Sequence, residues 1–493
     1  MPAPNSSALD DNQRGALLEE ICALGSTTDD ATATATTQRF LPLPAHDVAL
    51  HTSRLIVRGE RGAGKTTFFR LLRALTEKKI PLGVVFPGAS VTEGRFLEGF
   101  SERETSHPSV ATLNQLAEMG DDGVLRAFWF RHLIGTLAEA HPEVPPPSGA
   151  FMEAWRTQRA APRAWVGAGQ AELGPLATWL DGLDHRLAKD NTWVFVTYDH
   201  LDRIGLTSPA ARRRFVSTLL AMWLSLANRY ERLRCKVFLR EDLFRSAAKD
   251  SPDANTLSSR STTLLWTPED LYRVLIRHLS ASEGLRGWLS AQPRAMPLTE
   301  RPPLGWFPPD TLPEEGSVSQ RQLVGKLAGE LSGAGVTKGY THRWMMNHLQ
   351  DAYGRVVPRS LLNLVTFAAQ IALEQGPKAQ RSWLLHPAEL QAALVMTSQA
   401  RANELSEEAP VVPRLQTLRG MSLLGERDEI VAALQAAPVG AVDDGFGADG
   451  AAVFDELVRL GLLKVHLDGR VDVPDLYRYA LGIKRTGGVP RPR

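Results

Sequence analysis

The stretch Gly59-Glu60-Arg61-Gly62-Ala63-Gly64-Lys65-Thr66 leaves little freedom in how this chain folds. It fits G-x-x-x-x-G-K-[ST], the signature of a phosphate-binding loop. Before it, Arg54-Leu55-Ile56-Val57-Arg58 reads as a short buried strand; after it, Thr67 to Leu75 carries apolar residues at helical spacing. Strand, glycine loop and helix are the context that gives the motif its chemistry. Glycines let the main chain curl so that successive N–H groups converge on an anion, and the helix that starts there adds the positive end of its dipole. On this reading Gly59, Arg61, Gly62, Ala63, Gly64, Lys65, Thr66 and Thr67 line a triphosphate site. Lys65 reaches the β- and γ-phosphates, and the hydroxyl of Thr66 holds Mg²⁺.

A chain of 493 residues is too long for one core, and length alone suggests about three domains. Its 43% apolar and 23% charged content are those of an ordinary globular protein. The net charge of +1 gives no argument for a polyanionic partner over the whole chain. Cys22 and Cys235 lie far apart and read as reduced, structural thiols. No apolar run reaches the ~18 residues that span a bilayer, and Met1 to Asp11 lacks the pattern of a secretory signal. The expectation is a soluble, cytoplasmic protein, bacterial in style, with no membrane partner.

Residues 1–38 read as a weak helix and a flexible linker, since Ser26 to Thr37 is almost all Ser, Thr, Asp and Ala. Residues 39–285 form the nucleotide domain. Leu82 to Phe86 reads as its second strand, and residues 91–190 as a helical insertion with helices around Val110–Met119, Val124–Ala140 and Leu173–Leu187. The tryptophans of that insertion, Trp129, Trp155, Trp165 and Trp179, read as core anchors. Trp193-Val194-Phe195-Val196-Thr197-Tyr198-Asp199 is a strand ending in an acid, where a magnesium-binding aspartate belongs. A parallel sheet sets Asp199 beside the phosphate loop. Ser208 and Pro209 open a helix to Arg229, and Lys236–Arg240 and Thr262–Leu265 are two more strands. This order of strands and helices fits a parallel α/β sheet.

Residues 286–380 read as a proline-rich connector (286–316) and a helical lid, with helices at Val318–Leu331, Thr341–Tyr353 and Ser360–Leu373. Residues 381–493 begin with helices at Pro387–Ala402 and Glu426–Ala436. A glycine-rich stretch, Gly440 to Gly450, follows. The amphipathic helix Val453–Gly461, a hairpin around Leu467-Asp468-Gly469 and a helix from Pro474 then make the pattern of a winged helix.

Taken together these parts resemble the P-loop ATPases of the AAA+, STAND and KAP (ASCE) branch. Gly59 to Thr66 carries the resemblance, with Tyr198-Asp199-His200-Leu201-Asp202-Arg203, similar to the KAP signature I-D-D-L-D-R, and Lys236 to Asp242. Val357-Pro358-Arg359 resembles the lid sensor of origin-recognition ATPases. The resemblance covers roughly residues 40–375. It implies ATP and Mg²⁺ as cofactors, with Thr66 and Asp199 as metal residues. It implies that Arg240 senses the γ-phosphate, that Arg359 is a lid sensor, and that Arg260 is a finger for a neighbour's nucleotide. Phe40, upstream of the loop, is a candidate to pack on adenine, beside the plainer reading of a core aromatic. One departure stands out: the glutamate that orients water after the aspartate is His200 here, with Asp202 the next acid.

Three readings follow. One is an ATPase of slow turnover acting as a nucleotide-dependent switch or assembly factor in a conflict or stress system, with a homo-oligomer or protein partner. Another is a DNA-binding ATPase of replication-initiator or partition type, with nucleic acid bound through residues 440–493. The third is a nucleotide-binding scaffold without turnover.

Overall fold

The computed structural model describes residues 9–25, 33–101, 108–119, 121–157, 173–204, 209–249, 251–333, 339–376, 383–439 and 444–485. The chain divides into two compact units, one of residues 31–265 and one of residues 1–30 with 266–493.

The first unit is built on a five-stranded sheet: β1 (Ile56–Gly59), β2 (Arg95–Phe100), β3 (Val194–Tyr198), β4 (Leu233–Arg240) and β5 (Ser261–Thr263), in the order β2-β3-β4-β1-β5. Every neighbouring pair is parallel. The α/β parallel sheet expected from the sequence is therefore present, and all strand C-termini emerge along one edge. β3 and β4 are buried along nearly their whole length, as a central parallel sheet requires. The helix Lys65–Glu77 follows β1, and its Phe68 and Phe69 meet Phe238 of β4 edge-on at 5.7 and 5.8 Å. On the opposite face the helices Asp122–Ala140 and Pro209–Arg229 pack with Val194, Val196, Tyr198 and Leu233 into one core.

Several expectations are corrected here. Leu82–Val85 is a turn of helix, not a strand. Leu82, Val85 and Phe86 are buried while Val84 is exposed, which is helical spacing compressed into too few residues for periodicity to reveal. The second strand is instead Arg95–Phe100, inside the stretch read as all-helical. It is an edge strand with Glu98 and Gly99 in it. A Cβ on Gly99 would stand 2.7 Å from Val196 and 2.8 Å from Tyr198, so glycine is what allows the close approach. The last strand ends at Thr263, and Leu265 is exposed.

Ala33–Arg39, expected as linker, is a helix whose Thr36 and Thr37 are buried; the neighbouring residues 26–32 lie outside the described residues, as do Trp165 and Ser208. Trp129 donates to the Phe215 carbonyl at 3.0 Å and Trp155 is buried, both as core anchors, while Trp179 donates to the Pro145 carbonyl at 2.7 Å.

In the second unit the helix Pro358–Glu374 packs against Asp11–Leu24 and Pro387–Glu408. The N-terminal helix belongs here: buried Arg14 donates to Glu389 at 2.9 Å and to the Leu384 carbonyl at 2.8 Å. The proline-rich connector is corrected as well. It contains the end of the helix Glu283–Ser290, the hairpin Thr299–Arg301 with Gly305–Phe307, and buried Met296, Leu304, Phe307 and Leu312. Buried Arg277 donates to the carbonyls of Leu304 and Trp306 and lies 3.9 Å from the Phe307 ring centre. Prolines do not prevent folding where side-chain donors satisfy the carbonyls they leave.

The C-terminal part holds the helices Arg427–Leu434 and Gly450–Arg459, the antiparallel pair Lys464–Val465 with Val471–Asp472, and the helix Asp475–Leu481. This is the helix, wing and helix order expected. One further pairing, Lys484–Arg485 parallel to Ser422–Leu423, has no counterpart in the sequence reading, because its strands lie far apart with no turn signal to join them. No helix among the described residues is long and apolar enough to cross a membrane.

A buried cluster packed on Phe68, in the helix that follows the phosphate loop, predicts a pH dependence. The ring of His46 lies 4.7 Å from Phe68 and 4.8 Å from Phe40, and its Nδ1 accepts the Leu43 N–H at 3.0 Å. Burial pushes its imidazole down to about 3. Between that value and the ordinary one near 6.5 the unfolded chain binds a proton that the folded chain refuses, so stability falls on acidification. The loss amounts to roughly 2 kcal/mol by about pH 5. Thermal unfolding of wild type and His46→Phe should show a flatter pH dependence in the variant; equal slopes would refute this.

Candidate functional site

The loop that follows β1 has the backbone its glycines imply. Gly62 and Gly64 adopt φ of 81° and 91°, values that side-chain-bearing residues rarely take. Gly59 packs closely, since a Cβ there would stand 3.2 Å from that of Ala63. Gly64 is the N-cap of the helix Lys65–Glu77 and no side chain caps it, so the first turn presents its N–H groups to the loop. Lys65 is buried, and its ammonium donates to the carbonyls of Gly59 at 2.7 Å and Glu60 at 2.9 Å. Arg61, Thr66 and Thr67 are half-buried around the same turn.

Asp199 stands one residue past β3, with its N–H still in the ladder, donating to Phe100 at 2.9 Å. β4 runs between β3 and β1, which sets Asp199 roughly 10 Å across the sheet from the β1 line. The register pairs Tyr198 with Val237, and Gly59 with Arg240. Side chains alternate along a strand, so Arg240 falls on the face of Phe238, where the loop's helix packs. Asp199 has the alternation of Phe195 and Thr197. The acid is buried, and its Oδ2 finds no hydrogen-bond donor among the described residues; His200 Nε2 lies 3.5 Å from it. A buried carboxylate oxygen without a donor, at the strand edge that carries the phosphate loop, fits a cation. Among the described residues no three His, Cys, Asp or Glu side chains cluster as a metal site. A magnesium ion bound mainly by phosphates and water requires no such cluster.

His200 sits at φ 57° and begins a short 3₁₀ turn, Leu201–Arg203. That turn brings Asp202 to Arg240. Arg240 Nη1 lies 3.3 Å from Asp202 Oδ2, while Nε and Nη2 donate to the two oxygens of Asp242 at 3.1 and 2.7 Å. Burial alone would raise the Asp202 carboxyl, but the Arg240 guanidinium and then His200 carry it below its usual value. Two of the predicted site residues therefore meet each other. Asp202 is an ion-paired carboxylate, which makes it a weak proton acceptor. In the sequence Asp242 stands only as the end of the segment Lys236 to Asp242, with no role of its own; its signal is an acid two residues after an arginine that ends a strand.

The remaining candidates are placed differently. Phe40 is buried, stacked on Phe68 at 5.8 Å, and is a core aromatic rather than an adenine contact. Arg260 precedes β5, on the strand edge opposite the phosphate loop, and donates to Asn228 at 2.6 Å. Arg359 belongs to the second unit, where it pairs with Glu404 at 3.2 Å.

No family model matches the chain. No curated protein matches it either. Among solved structures it is similar to the Aeropyrum pernix ORC2 protein with ADPNP and ADP (13% identity, 86% of each chain covered, TM-score 0.39). It is also similar to the Aeropyrum pernix ORC1 protein in complex with DNA (13% identity, 96% of this chain and 92% of that one, TM-score 0.32). The superpositions are loose, and the reading of the site rests on the chain's own geometry.

Asp199→Asn separates a ligand role from a packing role. Removing a buried carboxylate that lacks a donor should leave the thermal midpoint without nucleotide unchanged or raised. The added stabilisation by magnesium with ATP should be lost. A fall of roughly 1–3 kcal/mol in the absence of ligand would mark the acid as a structural hydrogen-bond partner instead.

Proposed function

We propose that this protein is a P-loop ATPase of the AAA+, STAND and KAP kind, acting as a nucleotide-dependent switch with slow turnover. One observation supports the reading most directly. A glycine loop with Lys65 folded inside it, an unsatisfied buried acid at Asp199 and an arginine at Arg240 share one edge of a parallel sheet. Ligands of open α/β sheets bind at that edge.

Under this proposal the N–H groups of Gly62 to Thr67 cradle the phosphates. Lys65 exchanges the carbonyls of Gly59 and Glu60 for β- and γ-phosphate oxygens. Thr66 and Asp199 would hold a magnesium ion, which when bound neutralises charge on the β- and γ-phosphates. Arg240, one strand from Gly59, faces the terminal phosphate. The position after Asp199, where a glutamate would orient the attacking water, is His200. His200 is the nearest replacement in the sequence, and Asp202 is held ionised by Arg240. A poor proton acceptor slows hydrolysis without weakening binding, which suits a switch. Arg359 and the helices around it would respond to nucleotide as a lid, and assembly into a homo-oligomer or with a protein partner would be the output.

Titration of ATP with magnesium, and release of phosphate, should be measured on wild type and Lys65→Ala. Wild type is expected to bind and turn over slowly, on the order of once per minute or less; the variant is expected to lose binding at least tenfold. Size exclusion with and without ATP should show a change of assembly state that Lys65→Ala abolishes. A wild type indifferent to ATP would end the proposal.

The helix, wing and helix order favours a second reading, a DNA-binding ATPase of initiator or partition type working through residues 440–493. The charges there are largely spent on neighbours. Arg459 pairs with Glu456, Arg470 with Asp468 and Arg485 with Asp472, while Asp455 faces Arg427 at 3.6 Å. Lys464 and Lys484 are exposed; Arg491 and Arg493 lie outside the described residues. The full chain should therefore bind duplex weakly, with a shallow salt dependence. A loss of order 10³-fold between about 50 and about 200 mM salt would mean six or more phosphate contacts and would put this reading first.

A further inference from the structure

Arg240 is held unequally. Asp242 grips it side-on through two atoms, Nε at 3.1 Å and Nη2 at 2.7 Å, whereas Asp202 meets only Nη1, at 3.3 Å. Two parallel charge-assisted bonds fix the plane and direction of a guanidinium; a single longer bond does not. The arginine is almost fully buried, and both acids are about two-thirds buried, so the pairs are only partly screened by solvent. Asp242 lies in the first turn of the helix Glu241–Lys249, where an acid is favoured by the helix dipole and its backbone is fixed. Asp202 lies on the short turn after His200, a less constrained support. A second cation, Arg212, lies close enough to Arg240 to be destabilised by it, after burial, and both acids act on it in return. Two arginines and two aspartates thus balance at the strand edge.

We propose that Asp242 is a positioning residue for γ-phosphate recognition: it anchors Arg240 so that Nη1 points away from the anchor, and the terminal phosphate of ATP displaces Asp202 from that nitrogen. This rests on the nucleotide-binding reading above and adds a residue and an exchange to it. The phosphate carries more charge than the carboxylate it replaces, so the weak bond yields and the strong pair remains. ADP offers no terminal phosphate and leaves the Asp202 contact intact. Asp242 therefore contributes to the preference for ATP over ADP without touching either.

The test is equilibrium titration of the full chain, with magnesium, by fluorescent analogues of ATP and ADP. Asp242→Asn is expected to weaken ATP by on the order of tenfold with ADP unchanged. Arg240→Ala should do the same or more, and the double variant should lose no more than Arg240→Ala alone, because Asp242 acts only through the arginine. Arg240→Lys keeps the charge but cannot be gripped at two atoms, and should lose ATP preference as Asp242→Asn does; it carries the test if Asp242→Asn fails to fold. Asp202→Asn should bind ATP as tightly as wild type or tighter. The inference is overturned if Arg240→Ala loses ATP preference while Asp242→Asn and Arg240→Lys keep it, a result that leaves the phosphate-loop reading standing. Additive losses, or equal losses for ATP and ADP, overturn it too. A wild type that binds neither nucleotide overturns both.

Discussion

The site depends on one register: Gly59 of β1 lies opposite Arg240 of β4, in a sheet whose strands all point the same way. Parallel strands bring every C-terminus to one edge, and β4 runs between the phosphate loop and the acid. A shift of β4 by one residue would turn Phe238 away from Phe68 and Phe69, and Arg240 away from the loop's helix. The same aromatic contacts that stabilise the sheet therefore set the aim of the arginine. Under the proposed function, packing and phosphate recognition would be one constraint.

Electrostatics at that edge follow from placement. Asp199 is buried without a donor for one oxygen, while Asp202 and Asp242, only a few residues from strand ends, share one arginine, Arg240. A fold that satisfies two acids and leaves a third unsatisfied, when arginines are nearby, has an acid suited to a cation rather than to a salt bridge. The difference comes from geometry: Asp199 is still on the strand line, its N–H bonded to Phe100, and so cannot turn toward Arg240 as Asp202 does on its 3₁₀ turn.

Much of this is legible in the sequence alone, for physical reasons. The phosphate loop is read from glycines whose positive φ no other residue tolerates well, and β3 from an unbroken apolar run ending in an acid. What stayed hidden was long-range. The edge strand Arg95–Phe100 carries a glutamate and a glycine that suit an edge but mimic a loop, and it pairs with a strand about a hundred positions further along the chain. Phe40 looked free to meet a base because nothing in the sequence says that Phe68, Phe86 and His46 converge on it. The proline-rich segment looked unfolded because its support is Arg277, a residue well upstream.

The departure at His200 carries a consequence for the kind of work the site does. A left-handed backbone at this position bends the chain out of the strand at once, so the residue after Asp199 cannot continue toward the phosphate edge as a straight strand would let it. The same bend delivers Asp202 to Arg240. The next acid along the chain, Asp202, is thereby a counter-ion of Arg240. Under the proposed function the terminal phosphate would compete with Asp202 for Nη1 of Arg240, so the pairing that the arginine keeps would tell ATP from ADP, while slow cleavage would set how long that state lasts. On that proposal slow turnover and the partnered arginine would both follow from one backbone turn.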